Sequence, residues 1–202
     1  LWMGLDNGMD MMSSLAPVMY WHDKDIDYGS GYTACEYQGT LYLGTNQGLY
    51  AVRKGCPEGS MCLVEGSLGQ VWSVAEVCGT LFCCHNRGLF TVQHNRLVPI
   101  ETSDGVWSVK PLSDNEAVAG SYAGFYYLSK QGGIWKIRHL DGFAATSLYY
   151  ETDAAGHIWL LTSQGVERLA IDKSNYHIDS ELVIPQPAAE RTYSLARLQD
   201  EV

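Results

Sequence analysis

Read for apolar and polar positions, the chain alternates short apolar runs with polar, glycine-bearing turns, and one arrangement of the two recurs. An apolar strand enters a turn carrying glycine and leaves as a second apolar strand in Leu1-Trp2-Met3-Gly4-Leu5-Asp6-Asn7-Gly8-Met9. The same order returns in Leu41-Tyr42-Leu43-Gly44-Thr45-Asn46-Gln47-Gly48-Leu49 and in Leu81-Phe82-Cys83-Cys84-His85-Asn86-Arg87-Gly88-Leu89. Two further copies are Ala117-Val118-Ala119-Gly120-Ser121-Tyr122-Ala123-Gly124-Phe125 and Ile158-Trp159-Leu160-Leu161-Thr162-Ser163-Gln164-Gly165-Val166. Successive copies start 40, 40, 36 and 41 residues apart. No window of comparable length carries a 3.6-residue period, which excludes a solenoid of helices.

A second signature lies upstream of each copy: Tyr32-Thr33-Ala34, Trp72-Ser73-Val74, Trp107-Ser108-Val109, Thr146-Ser147-Leu148 and Tyr193-Ser194-Leu195. A large or β-branched residue, a hydroxyl residue and a small aliphatic suit a pleated surface packed on both faces. Hairpin turns separate this strand from the next at Gln38-Gly39, Cys78-Gly79, Ser113-Asp114-Asn115 and Ala154-Ala155-Gly156. A more variable fourth strand follows at 15–21, 61–65, 97–101, 134–140 and 177–184, with the charge expected of an outer edge. Each unit is therefore a four-stranded antiparallel meander, with residues 41–52 and 81–92 as central hairpins. A period of about 40 of this kind predicts an all-β fold, a β-propeller of about five blades.

The predicted domain spans 1–202 and starts at a second strand. Residues 192–198 are placed to complete the blade begun at Leu1, giving either a closed five-blade ring or an arc of a larger one. The opening at Leu1-Trp2 in mid-strand reads as a piece of a longer protein, with targeting and anchoring segments elsewhere.

Composition narrows the function. Apolar residues make up 46% of 202, enough for a folded core. The net charge of −10, with only 13 Lys and Arg, argues against nucleic acid and against an anionic membrane surface. No apolar run is long enough to span a bilayer. Cys35, Cys83 and Cys84 lie in apolar strands, where a thiol packs as a small hydrophobe. Cys56 and Cys62 flank the turn-rich Pro57-Glu58-Gly59-Ser60-Met61 and read either as a disulfide stapling a hairpin or as two free thiols.

The copies at Leu1–Gly8 and Leu41–Tyr50 resemble the two-component-regulator propeller repeat, which reads aliphatic-Trp-aliphatic-Gly-Thr, Asn-x-Gly, Leu-Tyr. Asp153-Ala154-Ala155-Gly156-His157-Ile158-Trp159-Leu160 is similar to its Asp-x-x-Gly-x-Ile-Trp lead-in. The likeness is strongest over residues 1–52 and weakest over 117–128, where Trp and Thr are absent. It implies the periplasmic sensor of a Bacteroidetes-type transmembrane regulator. Such a regulator carries a triple-tyrosine domain, a membrane helix and a kinase or helix-turn-helix output downstream, and responds to carbohydrate. The alternatives are a protein-interaction propeller and, more weakly, a carbohydrate-active enzyme.

Catalysis finds little support: no Gly-x-Ser-x-Gly occurs, and Gly120-Ser121-Tyr122-Ala123-Gly124 misplaces its serine. No cofactor or metal is expected. Cys83-Cys84-His85 cannot converge on an ion, because neighbours in a strand point to opposite faces. Asp23-Lys24-Asp25-Ile26-Asp27 has the wrong glycine and twelfth position for a calcium loop and reads as a solvated loop.

The aromatics at one repeat position, Tyr32, Trp72, Trp107 and Tyr193, suit interblade packing or the stacking of sugar faces at a channel mouth. The turns Asp6-Asn7, Asn46-Gln47, Asn86-Arg87 and Ser163-Gln164 converge on one face of a closed ring. Their amides suit sugar hydroxyls, while Asn-x-Gly also meets the backbone needs of a tight turn. The candidate ligand residues are Asn46, Gln47, Asn86, Arg87, Trp72 and Trp107, for an oligosaccharide. Partners are otherwise downstream domains of the parent chain and, through open blade edges, further copies of the chain.

Overall fold

The computed structural model describes residues 2–5, 8–11, 27–53, 56, 61–100, 102, 104–145, 149–185 and 195. Among them there is no helix, and so none long and apolar enough to cross a membrane. A hairpin of β1 (Trp2–Leu5) and β2 (Gly8–Met11) precedes the first complete sheet. That sheet holds β3 (Gly31–Tyr37), β4 (Thr40–Thr45), β5 (Leu49–Val52) and β6 (Cys62–Leu63). The second holds β7 (Val71–Val77), β8 (Thr80–His85), β9 (Gly88–Gln93) and β10 (Arg96–Ile100). The third runs β11 (Val106–Ser113), β12 (Glu116–Ser121), β13 (Gly124–Gln131) and β14 (Ile134–Leu140). The fourth runs β15 (Tyr150–Thr152), β16 (Ile158–Thr162), β17 (Gly165–Asp172) and β18 (His177–Pro185). Each is an antiparallel meander in chain order, a propeller blade, and the central hairpins fall where the repeats place them.

Strand alternation decides what each blade buries. In β8, Phe82 and Cys84 join a core with Val106, Val109, Ala117, Ala119, Tyr126 and Leu128 of the third blade. Their neighbours Leu81 and Cys83 point the other way, into a core with Leu49 and Ala51 of the first blade. Val118, Phe125, Tyr127 and Leu140 likewise meet Tyr150, Ile158, Leu160, Leu169 and Ile178 of the fourth. Second strands are thus apolar at nearly every position because both faces are covered, whereas outer β14 alternates between exposed and half-buried. A fully buried Phe or Leu contributes roughly 2 kcal/mol, so the three interblade cores stabilise the array more than any single blade can.

The residue that ends each second strand explains part of the repeat. Thr45 Oγ1 accepts from the amides of Gln47 and Gly48 and donates to Gly48 O. Ser121 and Thr162 repeat this arrangement, accepting from Ala123 N and Gln164 N and donating to Gly124 O and Gly165 O. A side chain thereby satisfies the turn's own polar groups. Positive φ in these turns falls on Gly48, Gly88, Gly124 and Gly165, not on Asn46 or Asn86. The glycine, rather than the asparagine, is what the turn backbone requires.

His85 takes the same role in the second blade. It is fully buried, its Nδ1 accepts from Arg87 N (3.1 Å), and its Nε2–H faces Ser67 O (3.3 Å). Burial and the adjacent Arg87 guanidinium hold its pKa below the ordinary value. The folded state therefore keeps His85 neutral, while the unfolded chain takes up a proton near pH 6.5. Below about that pH the unfolded state binds more protons, so stability falls on acidification until the lower folded pKa is passed. His85→Thr restores the hydroxyl seen at Thr45. Its unfolding free energy, followed by denaturant titration between about pH 7 and pH 5, is expected to slope less steeply than that of the parent. Equal slopes would refute the assignment.

The fourth repeat departs from its expected register. Tyr150 pairs with Leu160 as Val109 pairs with Ala119 and Val74 with Cys83. Tyr149-Tyr150 therefore stands where Ser108-Val109 stands, two residues later than the reading at Thr146-Ser147-Leu148. The separation from Tyr150 to Leu160 equals that from Val109 to Ala119, so Thr146-Ser147-Leu148, which lies outside the described residues, matches the signature by composition alone, although the turn 153–157 is longer. Asp153 bridges it, accepting through Oδ1 from His157 N and through Oδ2 from His157 Nδ1 (2.9 Å) and Trp159 Nε1 (2.8 Å). These bonds outweigh the cost of burial and hold the Asp153 pKa below its ordinary value. The Asp-x-x-Gly-x-Ile-Trp lead-in is thus a turn clasp. Cys56 and Cys62 are joined, with Cα atoms 5.6 Å apart. The outer strand at 15–21, the loop 23–26, the turn Asp6-Asn7 and most of 192–198 lie outside the described residues.

Candidate functional site

In three successive blades the aromatic of the first-strand signature is an extra residue in the ladder. Pairing jumps from Gly31↔Thr45 to Thr33↔Gly44, from Val71↔His85 to Ser73↔Cys84, and from Val106↔Ser121 to Ser108↔Gly120. The residues passed over are Tyr32, Trp72 and Trp107. A β-bulge re-aims the side chain it carries. Here the three rings become one band, with Tyr32–Trp72 centroids 6.0 Å apart and Trp72–Trp107 4.7 Å apart.

The band lines a cavity of about 540 Å³. Tyr32 enters it from the first blade, Trp72 and Ser73 from the second, and Trp107, Ser108 and Lys110 from the third. Tyr149, Tyr150 and Glu151 come from the fourth blade, and Leu195 completes the lining. First-strand residues of the four blades and Leu195 therefore meet around one space, as first strands do at a propeller axis. Tyr32, at 51% exposed, presents its ring to solvent beside this space.

Polar groups are few but placed. Lys110 Nζ lies 2.8 Å from Glu151 Oε1, a pair of half-buried side chains bridging two first strands. Trp107 Nε1 is buried and meets no acceptor among the described residues. Tyr122, from the β12–β13 turn, stacks 4.3 Å from Trp107 and accepts from Trp72 Nε1 at 2.6 Å. Gly105 makes this possible, since a Cβ there would stand 2.6 Å from the Tyr122 ring. Among the described residues no group of three or more His, Cys, Asp or Glu could hold a metal ion.

The six expected ligand residues separate into two sets. Trp72 and Trp107 come together at the cavity, whereas Asn46, Gln47, Asn86 and Arg87 occupy β-turns at the same end of the blades and do not line it. Asn46 Oδ1 accepts from Ser30 N (2.8 Å), Gln47 O accepts from Gly69 N, and Arg87 Nη2 donates to Gly66 O (2.5 Å). Asn86 is exposed, and its backbone amide donates to Gln70 O. Three of the four thus tie their turns to neighbouring loops.

Sequence reasoning missed Lys110, Glu151, Tyr122 and Tyr149. A signal existed for the charged pair: Lys110 and Glu151 share the repeat position held by Cys35 and Ala75 in the first two blades. A charge at an inner-strand position that is elsewhere small and apolar marks a polar anchor on the axis. Tyr122 holds the turn position of Asn46 and Asn86, where an aromatic is equally out of pattern.

No family model matches this chain, and no curated protein matches it in sequence. Solved structures do. The WD40 β-propeller domain of Doa1 superposes with a TM-score of 0.53 at 15% identity, over 77% of this chain and 53% of that one. The extracellular domain of BT4673 from B. thetaiotaomicron, designated a hybrid two-component system, gives 0.58 at 14% identity, over 86% of this chain and 23% of that one. That of BT3049 from the same organism, designated likewise, gives 0.53 at 16%, over 80% and 25%. The chain thus spans about half the length of the first and about a quarter of the other two. At these identities the likeness establishes the fold, a β-propeller.

Proposed function

We propose that the chain is a ligand-sensing propeller from the periplasmic part of a transmembrane signal-transduction regulator, and that its ligand is a saccharide bound at the first-strand cavity. The observation carrying this reading is the row of bulged aromatics from three blades lining one cavity together with an ammonium–carboxylate pair. Flat rings accept the apolar faces of sugar rings, and a few fixed polar groups orient the hydroxyls. Support for the signalling context comes from the shared fold of the two B. thetaiotaomicron extracellular domains and from the repeat resemblance.

Among the described residues the cavity holds an aromatic platform and an internally neutralised ion pair, without a nucleophile held by a base, and binding without turnover is the chemistry we expect. Isothermal titration calorimetry with a panel of neutral and acidic oligosaccharides tests the reading. Saturable heat for at least one saccharide, with no product released, supports it. No binding by any of them, either to this chain or to the longer ectodomain, favours an interaction scaffold instead.

A further inference from the structure

A second recess lies between β10 of the second blade and β14 of the third, and it reaches the β7–β8 turn and Tyr37 at the end of β3. One cavity there, about 490 Å³, includes Thr80, Gln93, Lys130 and Ile134 in its lining. Another of about 340 Å³ includes Lys136, Ile137 and Arg138. Both share Pro99, Ile100 and Trp135, so the two form one groove along the rim of the blades. Ile134, at its mouth, is 70% exposed.

The charge of this groove opposes that of the molecule. The chain holds 23 acidic and 13 basic residues, yet three cations and no carboxylate line the groove among the described residues. Lys130 is used internally: it donates to Cys78 O (2.7 Å) and Thr80 Oγ1, with its ammonium 5.5 Å from the Trp135 ring. Its charge meets no acid there. Lys136 and Arg138 are exposed, two residues apart on one strand, and neither has an acidic partner among the described residues. The other cations near carboxylates, Arg96, Lys110, Arg168 and Lys173, are paired with Glu65, Glu151, Glu181 and Glu116.

The backbone adds a second requirement. β14 is bonded on one side only, to β13, and its seven residues include no proline. Among the described outer strands, β6 is two residues long, while β10 and β18 contain Pro99 and Pro185. Short length and proline are devices that blunt a sheet edge. β14 lacks both and instead carries its cations at alternate positions, spaced to meet side chains on one face of an added strand.

We propose that the β10–β14 groove is a docking site for an extended acidic peptide segment of a partner protein. The segment pairs its backbone with the β14 edge, sets carboxylates against Lys136 and Arg138, and inserts an apolar side chain against Pro99, Ile100 and Trp135. Strand addition of this kind draws affinity from main-chain bonds and specificity from pockets for alternate side chains. Complementary charge raises the encounter rate and is weakened by salt. This surface is independent of the saccharide cavity.

The test uses fluorescence anisotropy of a labelled ten-residue peptide alternating Glu and Val, with the whole chain as receptor. Binding is expected to be saturable and to weaken at least tenfold in Lys136→Glu/Arg138→Glu. It should also weaken between low and physiological salt, and be lost when alternate peptide amides are N-methylated. A peptide alternating Lys and Val should not bind. Circular dichroism and melting of the variant, whose changes are at exposed positions, confirm that it folds. Failure of the acidic peptide to bind, unchanged affinity in the charge-reversed variant, or indifference to N-methylation overturns the proposal. Co-sedimentation with phosphatidylserine vesicles that is lost in the same variant, without peptide binding, would assign the cations to a lipid surface and likewise overturn it.

Discussion

Gly120→Ala is expected to lower the melting temperature by about 9 °C, a loss of about 3 kcal/mol in a domain of this size. A Cβ at Gly120 would stand 2.6 Å from Cε1 of Tyr150, and the ring has no room to retreat. Tyr150 is 2% exposed and packs edge-on against Phe125 at 5.2 Å. Its hydroxyl accepts from Gly120 N (3.0 Å) and donates to Ser108 O (2.9 Å), with Val118 O at 3.2 Å. Burial pushes its pKa far up, so the phenol remains a donor at every accessible pH. One added methyl therefore overpacks the core, at about 1–3 kcal/mol, and pulls a buried hydroxyl from its partners, at about 1–3 kcal/mol more. Thermal melts of Gly120→Ala in the parent and in Tyr150→Leu separate these effects from the intrinsic cost of alanine. The shorter Leu side chain leaves the methyl its space, so the penalty should shrink by more than half. A melt within about 2 °C of the parent, or an equal penalty in both backgrounds, would mean that the blades slide apart to absorb the methyl.

That contact shows what was and was not legible in the chain. The period, the central hairpins and the placing of outer strands were readable, because covering a blade on both faces makes Leu81-Phe82-Cys83-Cys84 and Ala117-Val118-Ala119 apolar at every step. Gly44 and Gly120 were readable as repeat glycines but not as seats for neighbouring blades, since the occupants, Val71 and Tyr150, lie about 30 residues downstream. The recurrence of Tyr32, Trp72 and Trp107 was visible, whereas the bulges were not: an extra residue in a ladder is defined only by what the partner strand skips. The fourth repeat misled because Tyr149-Tyr150 replaces the hydroxyl and small aliphatic residues of the signature, while Thr146-Ser147-Leu148 supplies that composition two residues upstream. For the site, the turn amides drew attention through their composition, yet hydrogen bonds to Ser30 and Gly66 occupy Asn46 and Arg87. Lys110 and Glu151 sit 41 residues apart and become a pair only when adjacent first strands are set side by side.

For the saccharide that binds tightest in the calorimetric panel, Trp72→Ala/Trp107→Ala is expected to raise Kd by about 100-fold. Each ring in a stacked contact contributes about 1.5 kcal/mol at the upper end of the aromatic range, and about 3 kcal/mol corresponds to two decades in Kd. Asn46→Ala/Arg87→Ala should leave Kd within about threefold, because those side chains hold turns and line no part of the cavity. Truncating two tryptophans that pack on Tyr122 also removes stability, so Trp107→Phe serves as the second variant. It keeps a ring at the bulge and removes the buried Nε1–H, which meets no acceptor among the described residues. If the ligand takes that N–H, Trp107→Phe loses binding enthalpy while its melting temperature stays near the parent's. If the rings serve packing alone, Trp107→Phe binds like the parent, and the double alanine variant binds normally wherever it remains folded. The opposite pattern, with affinity lost in Asn46→Ala/Arg87→Ala and kept in both tryptophan variants, would move the ligand from the axis to the turn face and overturn the cavity as the sensing site.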